Sequence, residues 1–494
     1  MSTAKKFAGQ TAIYGLSTIA SRMLNFFLTS AYTRIYSKSI YGIFSNMFSY
    51  ASMLQALLAF GMETTFFRYL NKHDDKKPQV YNNAFTTIIC ITVLFLLAVL
   101  PFLNTIAGWV AIESTTSFHD YRLYVIYFAS FLVIDAWCVV PFARVRAAGR
   151  PGRYGFIKLA NVMVFIALNL IFMYVLPFVV SHHYPGSGWV ASWFKQGWLG
   201  YIFLSNLAAS ALTFVLLLPE VLKLRFELDA AMGRSMLIYS LPILVANFSF
   251  IINENLDKML LAKLLPKNIS SEQLGIYAGC AKISIFLNLF VQAFRLGAEP
   301  FFFSHAKNKN AGVTYARIMD YFVIAVSIGF LAITANIQLL KYFIGKSFWV
   351  GLPCVPPLLF GYVSLGIYMN LSIWYKLSDQ TKYGLYISGV GAMLTIVLNI
   401  LFIPRFSYMA SAWASFASYT VMMILSYIWG QKNYPIPYNL KKNVAYIIAS
   451  IVLVVLSFYV FKRNIFVGNA LLLIFALITF MAERKELVQI LKRK

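Results

Sequence analysis

Charged side chains that interrupt long apolar stretches are the residues of this sequence most able to do chemistry. Four of them are the cations Arg22, Lys258, Lys282 and Arg295. Five are the acids Glu63, Asp135, Glu254, Asp257 and Glu299. Cations in such a setting suit an anionic ligand, and guanidinium groups offer forked donors to phosphate. The acids are candidates for binding H⁺ or Na⁺.

A charge at the depth of a bilayer costs at least ~2.5–3.5 kcal/mol, so it persists where it meets water, a partner or a ligand. Arg22 has no acid within one helical turn, which favours a ligand-binding role. Glu254 and Lys258 lie one turn apart, as do Arg295 and Glu299. Each of these pairs could instead be structural, with the two charges neutralising each other locally.

The other charges have structural alternatives of the same kind. Glu63 could pair with Arg68, and Asp135 could bond to a neighbouring helix. Lys282 could extend its ammonium group to the membrane surface. Both roles stay open for these residues.

Motifs for catalysis or metal binding are missing from the sequence. It has no GxGxxG, Walker loop, HExxH or GxSxG in a strand-turn-helix context. Its four cysteines show no CxxC or Cys/His spacing. We therefore expect no enzyme activity, no catalytic residues, no metal site and no cofactor.

Composition indicates the class of protein. Of 494 residues, 60% are hydrophobic and 12% are charged, whereas soluble domains carry about 25% charged residues. Mean hydropathy is +0.70. These values exclude a secreted enzyme, a disordered scaffold and a soluble nucleic-acid binder, and they predict a polytopic membrane protein.

Fourteen apolar segments are long enough to span a bilayer, which takes roughly 20 residues each. They are 9–35, 40–69, 82–107, 121–143, 156–181, 198–222, 235–263, 274–303, 314–343, 349–376, 381–403, 408–430, 442–461 and 465–482. Their apolar character is continuous rather than alternating, which favours helices over barrel strands. The prediction is an all-α fold of about fourteen transmembrane helices.

The net charge of +25 would suggest nucleic acid if the protein were soluble. In a membrane protein, basic residues instead hold loops in the cytoplasm. With the N-terminus inside, most Lys and Arg fall on the cytoplasmic side, so we expect both termini in the cytoplasm and no nucleic-acid partner. The predicted location is the cytoplasmic (inner) membrane.

Two pairs of short motifs indicate an internal repeat. YGIF at 41–44 precedes GMETTFF at 61–67, and LGIY at 274–277 precedes GAEPFFF at 297–303. Six predicted segments separate the copies. An even number gives both copies the same orientation, so the repeats are predicted to be parallel.

The repeat predicts three domains: a six-helix bundle over 1–230, a second over 231–435, and a helix pair with a basic tail over 436–494. Pro242 and Pro300 flank the charged runs of the second repeat. Because proline removes a backbone hydrogen bond, both are predicted hinges.

Four runs carry a resemblance to a known family. SRMLNF at 21–26 and TRIYSKSIYGIF at 33–44 resemble polysaccharide-biosynthesis flippases of the Wzx type. NENLDK at 253–258 and GIYAGCAKIS at 275–284 resemble the second half of the same family. These flippases belong to the multidrug/oligosaccharidyl-lipid/polysaccharide (MOP) superfamily.

The resemblance implies a MATE-like, V-shaped pair of six-helix bundles with two further helices. It implies that the protein flips an undecaprenyl-pyrophosphate-linked oligosaccharide from the cytoplasmic to the periplasmic leaflet by alternating access, for O-antigen, lipopolysaccharide or capsule synthesis. Arg22 matches a first-helix arginine of the related lipid II flippases, and Arg295 approximates an eighth-helix arginine. Lipid-linked oligosaccharide, membrane lipids, polysaccharide polymerase and chain-length proteins are the expected partners.

Two other functions compete with the flippase. A cation-coupled multidrug antiporter of the same superfamily would want an acid-dominated cavity for organic cations. A membrane-embedded polymerase or ligase would usually need a sizeable outer loop with catalytic residues, and the longest outer loop, 182–197, is short.

Overall fold

The computed structural model describes residues 23–24, 26–113, 116–225, 227–306, 308, 310–378 and 380–492. Within these ranges thirteen helices are long and apolar enough to cross a membrane, and no strand occurs. The predicted all-α membrane fold is confirmed. The first predicted segment, 9–35, lies mostly outside the described residues, although 26–35 are helical.

The thirteen helices are numbered in chain order. They are α1 (Lys38–Lys72), α2 (Lys77–Val99), α3 (Phe118–Ala147), α4 (Pro151–Ser181), α5 (Gly200–Val221), α6 (Ala230–Leu264), α7 (Ser270–His305), α8 (Ala311–Ala335), α9 (Lys346–Leu377), α10 (Lys382–Phe406), α11 (Tyr408–Asn433), α12 (Leu440–Val460) and α13 (Ile465–Lys492). Runs this apolar fold as helices because in lipid every backbone polar group must bond within its own segment.

Polar residues mark where several helices begin. The hydroxyl of Ser117 accepts a hydrogen bond from the backbone N–H of Asp120 at 3.1 Å. Asp229 caps α6 in the same way, at 3.0 Å from the N–H of Met232. Each cap satisfies one of the N–H groups that a helix leaves unpaired at its start.

Helix α1 differs from the single segment predicted over 40–69. It consists of Lys38–Ala59 and Met62–Lys72, separated at Phe60 and Gly61. Both of these residues have positive φ, 48° and 64°. Glycine adopts this left-handed conformation without strain. The break was not predicted because the run is apolar throughout.

The chain divides into two compact units, unit 1 (Met1–Gly275) and unit 2 (Ile276–Lys494). In unit 1, α5 packs along α3 and α4, and α6 lies against α1. In unit 2, α11 packs between α9 and α10, and α8 contacts α12 and α13. Helix α6 runs without interruption through Pro242, and α7 continues through position 300. The hinge roles of the two prolines stay predictions.

In unit 1, helix α1 approaches the start of α7 closely at two glycines. A Cβ atom on Gly42 would overlap the carbonyl oxygen of Ser271, and a Cβ atom on Gly275 would overlap that of Lys38. The contact is reciprocal, because each glycine meets the carbonyl four residues before the other. The two glycines belong to the YGIF and LGIY motifs, so the first motif of each predicted repeat copy contributes a glycine to this crossing.

Polar contacts surround the glycine crossing. The Ser39 hydroxyl lies 2.5 Å from the Ser271 hydroxyl and donates to the Glu113 carboxylate at 2.5 Å. Lys38 forms an ion pair with Glu272. Close backbone approach and side-chain bonds together fix the start of α7 on α1.

Candidate functional site

A cationic pocket between α7 and α9 is the strongest candidate site in unit 2. The Glu299 carboxylate lies between two cations on different helices. Its Oε2 is 3.4 Å from Arg295 Nε, and its Oε1 accepts a hydrogen bond from Lys376 Nζ at 2.5 Å. One carboxylate offsets one cation, so the trio carries a net charge of +1.

Packing holds the two sides of this pocket. The buried side chains of Trp374 and Tyr375 belong to an aromatic cluster that fixes the end of α9 next to Lys376. Phe302 of α7 and Ile373 of α9 share a second cluster and line the pocket itself. The two cations therefore lie on helices that are held in place by packed aromatic and apolar side chains.

An unsatisfied donor completes the pocket. Asn370 lines it and is buried, and its Nδ2 has no hydrogen-bond partner within the ranges that the structure describes. A buried amide without a partner costs about 1–3 kcal/mol. An anionic oxygen in the pocket would relieve that cost and would meet two cations as well.

The acidic run of α6 lies in unit 1 and makes local contacts. Lys258 Nζ donates to the backbone carbonyl of Glu254 at 2.7 Å and lies 3.7 Å from the Asp257 carboxylate. Asp257 is buried. The structure thus brings Lys258 close to both predicted neighbours, with the carbonyl of Glu254 as its hydrogen-bond acceptor.

The remaining predicted site residues lie apart from the cationic pocket. Glu63 forms its ion pair with Arg146, whereas Arg68 stacks on the ring of Tyr239 at 4.1 Å. The sequence suggested Arg68 as the partner of Glu63. Spacing along the sequence cannot predict a contact with a side chain from a distant helix such as Arg146.

Asp135 is half-buried in unit 1, near Ser210 and Lys158. Lys282 is half-buried in α7. Arg22 lies outside the described residues. No group of three His, Cys, Asp or Glu side chains suited to a metal occurs in the described ranges.

Sequence reasoning missed two functional candidates. It did not single out Lys376, although this residue contacts the predicted site residue Glu299 from 77 positions away. It also passed over Glu220, the buried acid at the end of α5. A lone acid among many basic residues was the available signal for Glu220.

Comparison with solved structures identifies the fold. No family model matches the sequence, and no curated protein matches it. The solved structure titled lipid II flippase MurJ, inward closed conformation, superimposes with a TM-score of 0.70 at 12% identity, covering 95% of this chain and 99% of that one.

Multidrug transporters share the fold as well. An inward-facing MATE family transporter of the MOP superfamily gives a TM-score of 0.64 at 13% identity, covering 83% of this chain and 94% of the other. MATE in complex with MaD3S gives 0.60 at 13% identity, with 87% and 95% covered. This chain is thus a multi-pass membrane protein with the fold of MurJ and the MATE transporters of the MOP superfamily.

Proposed function

We propose that this protein flips a lipid-linked oligosaccharide, carried on undecaprenyl pyrophosphate, from the cytoplasmic to the periplasmic leaflet by alternating access. The observation that carries the proposal is the net positive pocket formed by Arg295, Glu299 and Lys376. Its support is the fold shared with a lipid flippase over nearly the whole length of both chains.

The pocket chemistry suits a pyrophosphate. Arg295 offers a forked guanidinium, Lys376 a compact ammonium and Asn370 an unpaired amide donor. Outward movement of each negative charge is favoured by ~2.3 kcal/mol per 100 mV when the cytoplasm is negative. The pocket has a volume of about 20 Å³, enough for one water-sized group. It would therefore offer its donors to one phosphate oxygen of the headgroup while the membrane potential assists movement of the substrate.

A cation-coupled multidrug antiporter is the second candidate, because MATE transporters share this fold. Such an antiporter needs an acid that is available to an organic cation or to the coupling ion. Glu299 already faces two cations, which favours the flippase. For either function, Glu63, Asp135, Glu254 and Asp257 are the proposed sites of H⁺ or Na⁺ coupling.

The proposed flippase performs no covalent chemistry and needs no cofactor. We place it in the cytoplasmic membrane with both termini in the cytoplasm. Its product would pass to a polysaccharide polymerase and chain-length proteins. We also propose that the substrate belongs to polysaccharide biosynthesis, as in flippases of the Wzx type.

Removing the pocket cations tests the flippase directly. Lys376→Ala and Arg295→Ala should each weaken binding of lipid-linked oligosaccharide about tenfold to a hundredfold, since a hydrogen bond to a charged group contributes about 1.5–3 kcal/mol. The measurement is flipping of labelled lipid-linked oligosaccharide by purified protein in liposomes. Lys346→Ala, an exposed cation at the opposite end of α9, is the matched control and should flip normally. Normal flipping by both pocket variants would contradict the proposal.

Glu299→Gln separates the two candidate functions. In a flippase the change removes the anion that competes with pyrophosphate, so substrate binding should be retained or tightened. In an antiporter the same change should abolish efflux of cationic drugs. Parallel assays of flipping and of drug susceptibility give opposite results for the two functions.

A further inference from the structure

The buried carboxylate of Glu220, in the last turn of α5, is surrounded by cations. Glu220 Oε1 lies 2.9 Å from Arg153 and 3.8 Å from Arg150. Its Oε2 lies 3.0 Å from Lys223 and 3.4 Å from Arg144. These five residues, the Glu220 cluster, come from α3, from α5 and the turn that follows it, and from the chain around the start of α4. One acid against four cations leaves a net charge of +3.

Two of the four cations make further contacts inside the protein, and the other two are about half exposed. Arg144 stacks on the ring of Tyr81 at 4.3 Å, and Arg153 also donates to the Leu216 carbonyl at 3.4 Å. By contrast, 55% of the Arg150 side chain and 46% of the Lys223 side chain are exposed. The inner pair holds the cluster together, and the outer pair offers donors to a second anion.

A polar pocket adjoins the cluster and shares Arg144 and Lys223 with it, and the other charges of its lining cancel. Four cations line it, Lys76, Arg144, Lys223 and Arg225, against two acids, Asp75 and Glu227. Leu222 lines the same pocket. The site therefore offers cationic donors next to an apolar edge.

Exposed apolar side chains lie on the two helices, α4 and α5, that lead away from this site. Phe156 and Met163 are exposed on α4, and Val215 and Leu218 are exposed on α5. Phe156 is one turn from Arg153, and Leu218 is close in sequence to Glu220. A free inorganic anion would leave these apolar side chains uncovered. A phospholipid carries acyl chains next to its anionic phosphate, and these chains would cover the apolar side chains.

We propose that the Glu220 cluster binds the phosphate of an anionic phospholipid, with its acyl chains lying along α4 and α5. The positive-inside prediction puts this end at the cytoplasmic leaflet, where anionic headgroups attract basic residues. The proposal concerns a site in unit 1 and stands independently of the flippase function.

Native mass spectrometry of the full chain in detergent tests the site with three probes: phosphatidylglycerol, phosphatidylcholine and inorganic phosphate. Wild type should retain phosphatidylglycerol more tightly than phosphatidylcholine. R150Q/K223Q should weaken retention of phosphatidylglycerol about tenfold or more, because each Lys or Arg near an anionic headgroup contributes about fivefold. Phosphatidylcholine retention should be unchanged.

The control is R122Q/K267Q, which removes two exposed cations of unit 1, Arg122 from the opposite end of α3, and should bind phosphatidylglycerol as wild type does. Equal retention of the two lipids by wild type overturns the proposal without relying on any variant. So does binding of inorganic phosphate alone, or phosphatidylglycerol binding that R150Q/K223Q leaves intact. Thermal unfolding of each variant checks that it is folded.

Discussion

Replacing Glu220 with alanine is expected to destabilise the protein by about 1–3 kcal/mol, the range for removing one partner of a charged hydrogen bond and leaving the other unsatisfied. The carboxylate is 4% exposed. Four cations, Arg144, Arg150, Arg153 and Lys223, lie within 3.8 Å of it. Without the carboxylate they repel one another, and Arg153 loses its closest ionic partner. Thermal unfolding in detergent measures the loss.

A double-mutant cycle shows whether charge is the cause. Adding Arg153→Ala to Glu220→Ala removes part of the repulsion, so the double variant should cost less than the sum of the two single changes. Glu227→Ala, an exposed acid of the adjoining pocket, is the control and should shift stability by no more than about 0.5 kcal/mol. Additive costs in the cycle would contradict the electrostatic explanation.

Gly42→Ala is expected to separate α1 from the start of α7. The added methyl group overlaps the Ser271 carbonyl oxygen, and a backbone atom has no rotamer with which to move aside. Overpacking of this kind typically costs about 1–3 kcal/mol. The bonds around the crossing, Ser39 to Ser271 and Lys38 to Glu272, should weaken with it.

A cysteine cross-link and an unfolding curve measure this effect. The rate of cross-linking between cysteines introduced at Lys38 and Glu272 should fall in the Gly42→Ala background, and the unfolding temperature should drop. Gly389→Ala in α10 is the matched control, because nothing lies within 4 Å of its Cβ position. Alanine exceeds glycine in helix propensity by about 1 kcal/mol, so this control should be neutral or stabilising. Wild-type cross-linking in Gly42→Ala would show that the crossing tolerates a methyl group.

Apolar runs were enough to predict the helices, because lipid leaves a long apolar segment no alternative to bonding its own backbone. They could not predict the break in α1, where the left-handed residue Phe60 is as apolar as its neighbours. The short helix Leu103–Val110 was likewise absorbed into the predicted segment 82–107.

The sequence identified half of the cationic pocket. Arg295 and Glu299 could be paired from their spacing, since residues four apart share a helix face. Lys376 could not, because its contact with Glu299 depends on how α9 packs on α7. The same reason applies to Glu63, whose partner Arg146 comes from α3. Charge pairs within a helix are readable from spacing, and pairs between helices require the tertiary structure.

The reciprocal contact of Gly42 and Gly275 has a consequence for the origin of the fold. Two-fold homodimers make isologous contacts, in which one residue of each copy meets the same surface of the other. Here a single polypeptide contains a contact of that form. An unfused ancestor would have needed only one such glycine, used by both subunits across the dimer axis. If the predicted repeat arose by gene fusion, the fused chain would carry that glycine at two positions, Gly42 and Gly275, which can change independently.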